Sequence, residues 1–390
     1  MTAGIQLPGS DEMIRLQQQV AQLQALLEAS RLVHSTVHEE EVLKQVLQIV
    51  VRELEMTGAS FPSAHLSYGD QPTPGESGTG ATPLSYPLDD REGHRMEELV
   101  VWPPEGRELS LFEDDFIQRL TQQAAVALEN IRNHERNLAF ALLEQDLDAS
   151  RQIQRSRLPH ALPAIDGYSL GYRSIACYHV GGDYLDIVEP PDGSLVMVVA
   201  DVAGKGLASA IMSTSFRSAF RALAFSGIPL DELAARINHY HWSEGEEAQR
   251  RFVTAVFLRL QPKEGVIEVV NAGHNPGFLV QPGVDPYLFE ASGVPLGLFS
   301  DVAYTKERRE FKPGARLLVY TDGLTEFFKG EQEFGPERLL EAFTNCQADN
   351  ADKILDAMWK AIADFSEGGQ QRDDMTALAL YRELTAEKPE

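Results

Sequence analysis

The chain has 390 residues, with 34 Lys and Arg against 59 Asp and Glu and a formal net charge of −25. That length accommodates two or three domains, and the acidity argues against nonspecific binding to nucleic acid or to an anionic membrane. Two cysteines, Cys177 and Cys346, are too few for a disulfide framework or a cysteine zinc site and fit a reducing compartment.

The opening MTAGIQLPGSDEM has no basic region followed by an apolar one, and no run of about 18 apolar residues occurs, so a cytoplasmic location is expected. Met13, Leu16, Val20, Leu23 and Leu27 are spaced by three and four, predicting a helix within residues 1–29 and a short coiled coil. A second helical pattern over 33–55 places Val42, Leu43, Val46, Leu47 and Val50 on one side. The Gly-, Pro- and Ser-rich segment 68–82, YGDQPTPGESGTGAT, reads as a loop between the short strands AHLSY and LSYPL, with EELVVW following.

From Asp114 to Leu158 there is neither Gly nor Pro, and apolar residues recur from Ile117 and Leu120 through Leu128, Ile131, Leu138, Leu142 and Leu147. The pattern predicts a helix of about 40 residues, roughly 60 Å long, stopped by Pro159 and Pro163. Such a rod, with its apolar stripe, is expected to join two modules and to dimerise. Residues 165–384 then alternate strands (YSLGYRSIACYHV, YLDIVE, LVMVVAD, FVTAVFLRL, VIEVVNAG, RLLVYTDG, MTALALY) with helices at 207–225, 229–242, 336–345 and 351–366. Helices grouped between blocks of strands predict an α/β (α+β) fold, two packed sheets covered by helices.

Several of these strands end or begin on aspartate. VGGDYLD carries Asp183 and Asp186, LVMVVADVAGKG carries Asp201, LVYTDGLTE carries Asp322, and RDDMTAL carries Asp373 and Asp374. Each acid alone has an ordinary reading as a turn residue. Together, brought to one rim, they would repel one another unless cations neutralised them, and an all-oxygen set suits Mg²⁺ or Mn²⁺ better than zinc. The GKG of 204–206 is not a P-loop, because no glycine stands five residues before Gly204 and no Ser or Thr follows the lysine. Lys205 is expected to face solvent.

These residues carry a resemblance. RQIQRSRLP, VGGDYLD, ADVAGKGLASAI, FVTAVF, NAGHNP, GVPLG, LVYTDGLTE and RDDMTAL stand in the order of the catalytic domain of PPM-family metal-dependent serine/threonine phosphatases, specifically the SpoIIE-type branch. The resemblance implies a β-sandwich flanked by helices on both faces and two Mn²⁺ or Mg²⁺ ions. It implies that Asp201 bridges the metals, with Asp183, Asp322, Asp373 and the Val202 carbonyl as further ligands; Asp183 and Asp201 are the catalytic assignments. Asp186 and Asp374 are supporting carboxylates, Gly182, Gly204 and Gly323 allow close backbone approach, and His274 is a turn-pinning histidine with a lesser case for general acid. Ala203 and Leu185 depart from the family pattern without removing a ligand.

Residues 30–135 resemble a GAF sensor domain through EASRLVHSTVHEEEVLKQVLQIV and LSLFEDDFIQRLTQQAAVALENIR, with an unknown small ligand or none. The expected organisation is therefore 1–29 helix, 30–135 GAF-like sensor or dimerisation domain, 136–164 helical linker, 165–384 phosphatase domain and 385–390 tail. The implied activity is hydrolysis of phosphoserine or phosphothreonine on a partner protein, an anti-sigma-factor antagonist in the branch resembled. The alternative is a catalytically idle phosphatase-fold scaffold. A nucleotide cyclase, suggested by the GGD, fails because Tyr184 and Leu185 follow where Glu and Phe are required.

Overall fold

A computed structural model describes residues 38–70, 82–159, 161–177, 180–366 and 371–384. The expected helix within 1–29, the tail, and most of the 68–82 loop lie outside the described residues. The chain divides into two compact units at Leu143/Glu144.

In the N-terminal unit, α1 (Glu39–Glu53) buries Val42, Leu43, Val46, Leu47 and Val50, the stripe expected from the sequence. They pack on an antiparallel sheet of order β2-β1-β4-β3, with β1 Gly58–Phe61, β2 Leu66–Gly69, β3 Leu84–Asp89 and β4 Arg95–Trp102. Strand β1, GASF, was not foreseen. Its first three residues are weak strand formers, and pairing with β2 on one side and β4 on the other holds them extended. Helix α2 (Leu111–Arg155, 45 residues) closes this core with Phe116, Ile117, Leu120, Ala124 and Leu128. It begins three residues before the expected Asp114 because Ser110 and Glu113 form a capping box: Ser110 N–H donates to Glu113 Oε2 (2.8 Å) and Glu113 N–H to Ser110 Oγ (3.3 Å).

In the C-terminal unit, one five-stranded antiparallel sheet has the order β12-β9-β8-β7-β6: β6 Tyr184–Val188, β7 Leu195–Val202, β8 Val253–Gln261, β9 Val266–Ala272 and β12 Glu307–Glu310. The other has the order β11-β10-β13-β16-β5: β5 Tyr168–Ile175, β10 Gly277–Val280, β11 Tyr287–Phe289, β13 Arg316–Tyr320 and β16 Met375–Arg382, with β14 Phe328–Lys329 and β15 Gln332–Glu333 paired as a separate hairpin. Helices α3 (Leu207–Ala224) and α4 (Leu230–Ser243) cover the first sheet, and a short α5 (Glu246–Arg250) follows them. Helices α6 (Gly335–Asn345) and α7 (Ala351–Ser366) cover the second.

Strand β7 shows why the sequence folds this way. Its side chains alternate, so Val196, Val198, Ala200 and Val202 face α3 and α4 while Leu195, Met197 and Val199 face the opposite sheet. Each fully buried side chain of this size contributes about 1.5–3 kcal/mol relative to exposure. A one-residue slip would exchange the two sets between differently shaped cores and turn Asp201 toward the helices, so the register, and with it the C-terminal end of the strand, is fixed.

Candidate active site

Asp201, the penultimate residue of β7, shares the inward parity of Leu195, Met197 and Val199, so its carboxylate belongs between the sheets. From the facing sheet come Asp322, just after β13, and Asp373 and Asp374, just before β16. Asp201, Asp322, Asp373 and Asp374 line one cavity of about 180 Å³ together with Gly182, Gly204 and Lys205. Asp183, just before β6, does not line it. Its carboxylate stands close enough to Asp201 and Asp374 for their charges to act on it, and the hydroxyl of Thr321 donates to its Oδ2 (2.8 Å).

Burial and mutual repulsion raise the pKa values of these acids. Burial, then Asp322, Asp373 and Asp374, push Asp201 up to about 7. Burial, then Glu326 and Asp373, push Asp322 up to about 6. Asp183 is held well above the usual carboxylate range by burial and then by Asp201 and Asp374. Lys205 answers part of this charge: its ammonium lies 2.6 Å from Asp373 Oδ2 and donates to the Arg372 carbonyl (3.0 Å). Lys205 is half-exposed, but it belongs to the acid cavity, which its sequence context did not reveal.

Glycine is required where the chain closes on these acids. A Cβ on Gly182 would stand 2.7 Å from the Val202 carbonyl oxygen and 3.0 Å from Asp201 Oδ1, and one on Gly323 would stand 2.0 Å from the Asp374 carbonyl oxygen. The Val202 carbonyl is thus turned toward the segment that carries Asp183.

Other expected residues have other surroundings. Asp186, fully buried, has the parity of Tyr184 and Val188 and faces α3, where Arg221 Nη1 donates to both its oxygens (2.9 Å each) and the Tyr184 hydroxyl donates to Oδ2 (2.5 Å). It is not a wall of the acid cavity. Asp374 is buried and accepts the Cys177 N–H (2.8 Å), tying the segment before Asp183 to β16. His274 is buried, with Nδ1 2.8 Å from Thr254 Oγ1 and Nε2 3.0 Å from the Tyr320 carbonyl oxygen. Burial pushes its pKa down to about 4, so it is neutral and pins the turn after β9 to the end of β13.

Two residues were missed. Thr321 was hidden within LVYTDG, where β-branched character already explained it. Gln154, in RQIQRSRLP, donates from Nε2 to the Gly181 carbonyl (2.7 Å) and accepts the Gly181 N–H at Oε1 (3.1 Å). A solvent-facing helical glutamine is the ordinary expectation, and nothing local marks the exception.

The donor set fits hard divalent cations: several carboxylates and a backbone carbonyl, no cysteine or histidine, and acids whose raised pKa values mark an unmet demand for positive charge. Among the described residues no three His, Cys, Asp or Glu side chains already converge as a metal cage.

Comparison with known proteins agrees with this architecture. The profile of the Stage II sporulation protein E (SpoIIE) family matches residues 191–383. Protein IcfG of Synechocystis sp. is 24% identical over 326 residues, covering 77% of this chain and 48% of that protein, so the chain spans about half of its length. The phosphoserine phosphatase RsbU of Bacillus subtilis is 25% identical over 248 residues, 62% of this chain and 71% of that protein. The SiaA-PP2C domain of Pseudomonas aeruginosa has the same fold (TM-score 0.55, 19% identity, 63% of this chain and 98% of that one). The doubly covered sandwich is therefore that of a known family: the C-terminal part of this chain is a SpoIIE-type domain with the PP2C phosphatase fold.

Proposed function

We propose that the chain is a metal-dependent protein serine/threonine phosphatase that hydrolyses phosphoserine or phosphothreonine on a partner signalling protein. The observation that carries this reading is the gathering of acids from both sheets at one end of the sandwich, each with a raised pKa or a cationic neighbour. Asp183, Asp201, Asp322 and Asp373, with the Val202 carbonyl, would hold two Mn²⁺ or Mg²⁺ ions. Such ions supply a water of lowered pKa and offset the charge of the phosphoryl group. The chain's own part is positional: Thr321 orients Asp183, Gly182 lets that segment approach Asp201, and Asp374 and Gln154 hold its backbone.

The name of RsbU supports a phosphoserine substrate, and an anti-sigma-factor antagonist is our proposal for the partner. We further propose that residues 30–135 are a GAF-like sensor, with or without a small ligand, and that α2 mediates a homodimer. Past Ile131 the helix exposes Leu138 (52%), Phe140 (63%), Leu142 (63%) and Leu143 (55%), an apolar surface that a second copy would cover. No described helix is long and apolar enough to cross a membrane.

The second reading, an idle scaffold, draws on the Lys205–Asp373 ion pair, which already occupies one carboxylate. Phosphate release from p-nitrophenyl phosphate and from phosphorylated antagonist proteins separates the two. Hydrolysis with Mn²⁺ that stops on chelation supports the phosphatase, and no hydrolysis at saturating Mn²⁺ leaves the scaffold.

A further inference from the structure

Beside the acid cavity lies a second one of about 70 Å³, and the two share Gly181 and Asp374 as walls. Four arginines line it: Arg151 and Arg155 from the last turns of α2, Arg157 just beyond, and Arg217 from α3. In a chain of net charge −25, four guanidinium groups converge there, beside the carboxylates of the acid cavity. Arg157 donates to the Thr214 hydroxyl (2.7 Å), a neutral partner. Arg217 stands 4.0 Å from Asp186, a carboxylate already held by Arg221 at 2.9 Å. Among the described residues, no carboxylate pairs with Arg151 or Arg155. The Nε groups of Arg151 and Arg217 are buried without a hydrogen-bond partner. A buried unpaired guanidinium N–H is expensive and calls for an acceptor.

Two carboxylates, Asp183 and Asp374, also line the cavity, accepting from the Thr321 hydroxyl and the Cys177 N–H respectively, and the four guanidinium groups outnumber them. The remaining donors are cationic and geometrically suited to a tetrahedral oxyanion. The volume of about 70 Å³ available to the centre of a water-sized sphere is on the scale of one small oxyanion and too little for a nucleotide.

We propose that this cavity is an oxyanion site that binds inorganic phosphate, or the phosphoryl head of a small organic phosphate, between the end of α2 and α3. Binding does not depend on the phosphatase reading; one consequence does. If the domain releases phosphate, this site places the product against the Gly181–Asp183 segment and makes the enzyme sensitive to it.

The test uses the full chain stripped of metal with chelator, because the acid cavity then repels anions and cannot account for binding. Inorganic phosphate is titrated by calorimetry and by ³¹P NMR line broadening. Saturable binding is expected, weakened about tenfold by Arg151→Gln or by Arg217→Gln and unchanged by Asp201→Asn. Arg155→Gln, at an exposed position with no packing role, should weaken it less, and circular dichroism checks the fold of each variant. O-Phosphoserine competing as well as phosphate assigns the site to phosphoryl heads; failure to compete assigns it to the free ion, and either supports the site. Absence of saturable binding overturns it, as does binding that survives Arg151→Gln/Arg217→Gln or is lost in Asp201→Asn.

Discussion

The side-chain amide of Gln154 pairs with both backbone groups of Gly181, donating to its carbonyl (2.7 Å) and accepting its N–H (3.1 Å). Opposite it, a Cβ on Gly181 would stand 2.0 Å from Asp374 Oδ2, so the backbone is gripped from both sides two residues before Asp183. Gln154→Ala should therefore raise the Mn²⁺ concentration needed for half-maximal phosphate release by about 10–100-fold, the usual effect of losing an outer partner of a metal site. Gln154→Glu keeps the shape but loses the Nε2 donor and should fall between. A Mn²⁺ requirement that is the same in all three proteins would show that the pairing is incidental to the site.

Asp201→Asn should abolish hydrolysis in a chain that remains folded, because it keeps the side chain's shape and removes its charge. Near-normal turnover of this variant at saturating Mn²⁺ would sink the assignment of Asp201 as the bridging acid.

The raised acids make the stability of the metal-free protein depend on pH. Asp201, at about 7, and Asp322, at about 6, bind protons in the fold that the unfolded chain has already released, so their contribution is present below pH about 4 and is lost as pH rises toward 7. His274 acts oppositely: its folded pKa of about 4 lies below the ordinary value of about 6.5, so its contribution is lost as pH falls from 6.5 to 4. Above pH 6.5 the acids alone act. The melting temperature of the C-terminal unit without metal should fall between pH 6.5 and 8, and Asp201→Asn should raise it at pH 8 by roughly 4–8 °C, equivalent to about 2 kcal/mol. Thermal scans in chelator check this, and a wild-type midpoint that rises over that interval would contradict it.

Asp373 and Asp374 should separate. Asp373 faces the cavity with Lys205, whereas Asp374 holds the Cys177 N–H, so Asp373→Ala should chiefly weaken Mn²⁺ binding. Asp374→Ala should chiefly lower stability, by about 1–3 kcal/mol for the buried N–H left unpaired. Calorimetric Mn²⁺ titration beside denaturant melts distinguishes them, and equal losses of metal affinity would place the register of RDDM in error.

Insertions in α2 after Glu135 test the rod. Each residue turns the helix by about 100°, so seven inserted residues restore nearly the same face and two displace it by about 160°. Seven should preserve activity and oligomeric state, and two should lock activity high or low. Phosphate release and light scattering unchanged by both insertions would mean that α2 is a passive tether.

Sequence alone determined the periodicities and hence the elements they build. The stripe of α1, the unbroken α2, the alternation of β7 and the longer helices α3, α4, α6 and α7 are local patterns repeated over many residues, each with one favourable way to bury its apolar face. It also marked the strand-end aspartates, because an apolar run stopping on an acid is visible without coordinates. Short strands such as Gly58–Phe61, Gly277–Val280 and Glu307–Glu310 were not legible, since neighbours rather than composition hold them extended. Only the tertiary structure decided which acid faces which. Asp183 and Asp186 are three residues apart, yet strand parity turns Asp186 to Arg221 while Asp183 sits beside Asp201. Lys205 against Asp373, Thr321 against Asp183 and Gln154 against Gly181 join residues 168, 138 and 27 positions apart along the chain. No local pattern encodes such pairs, because packing of the sheets and helices, not the residues' own propensities, brings them together.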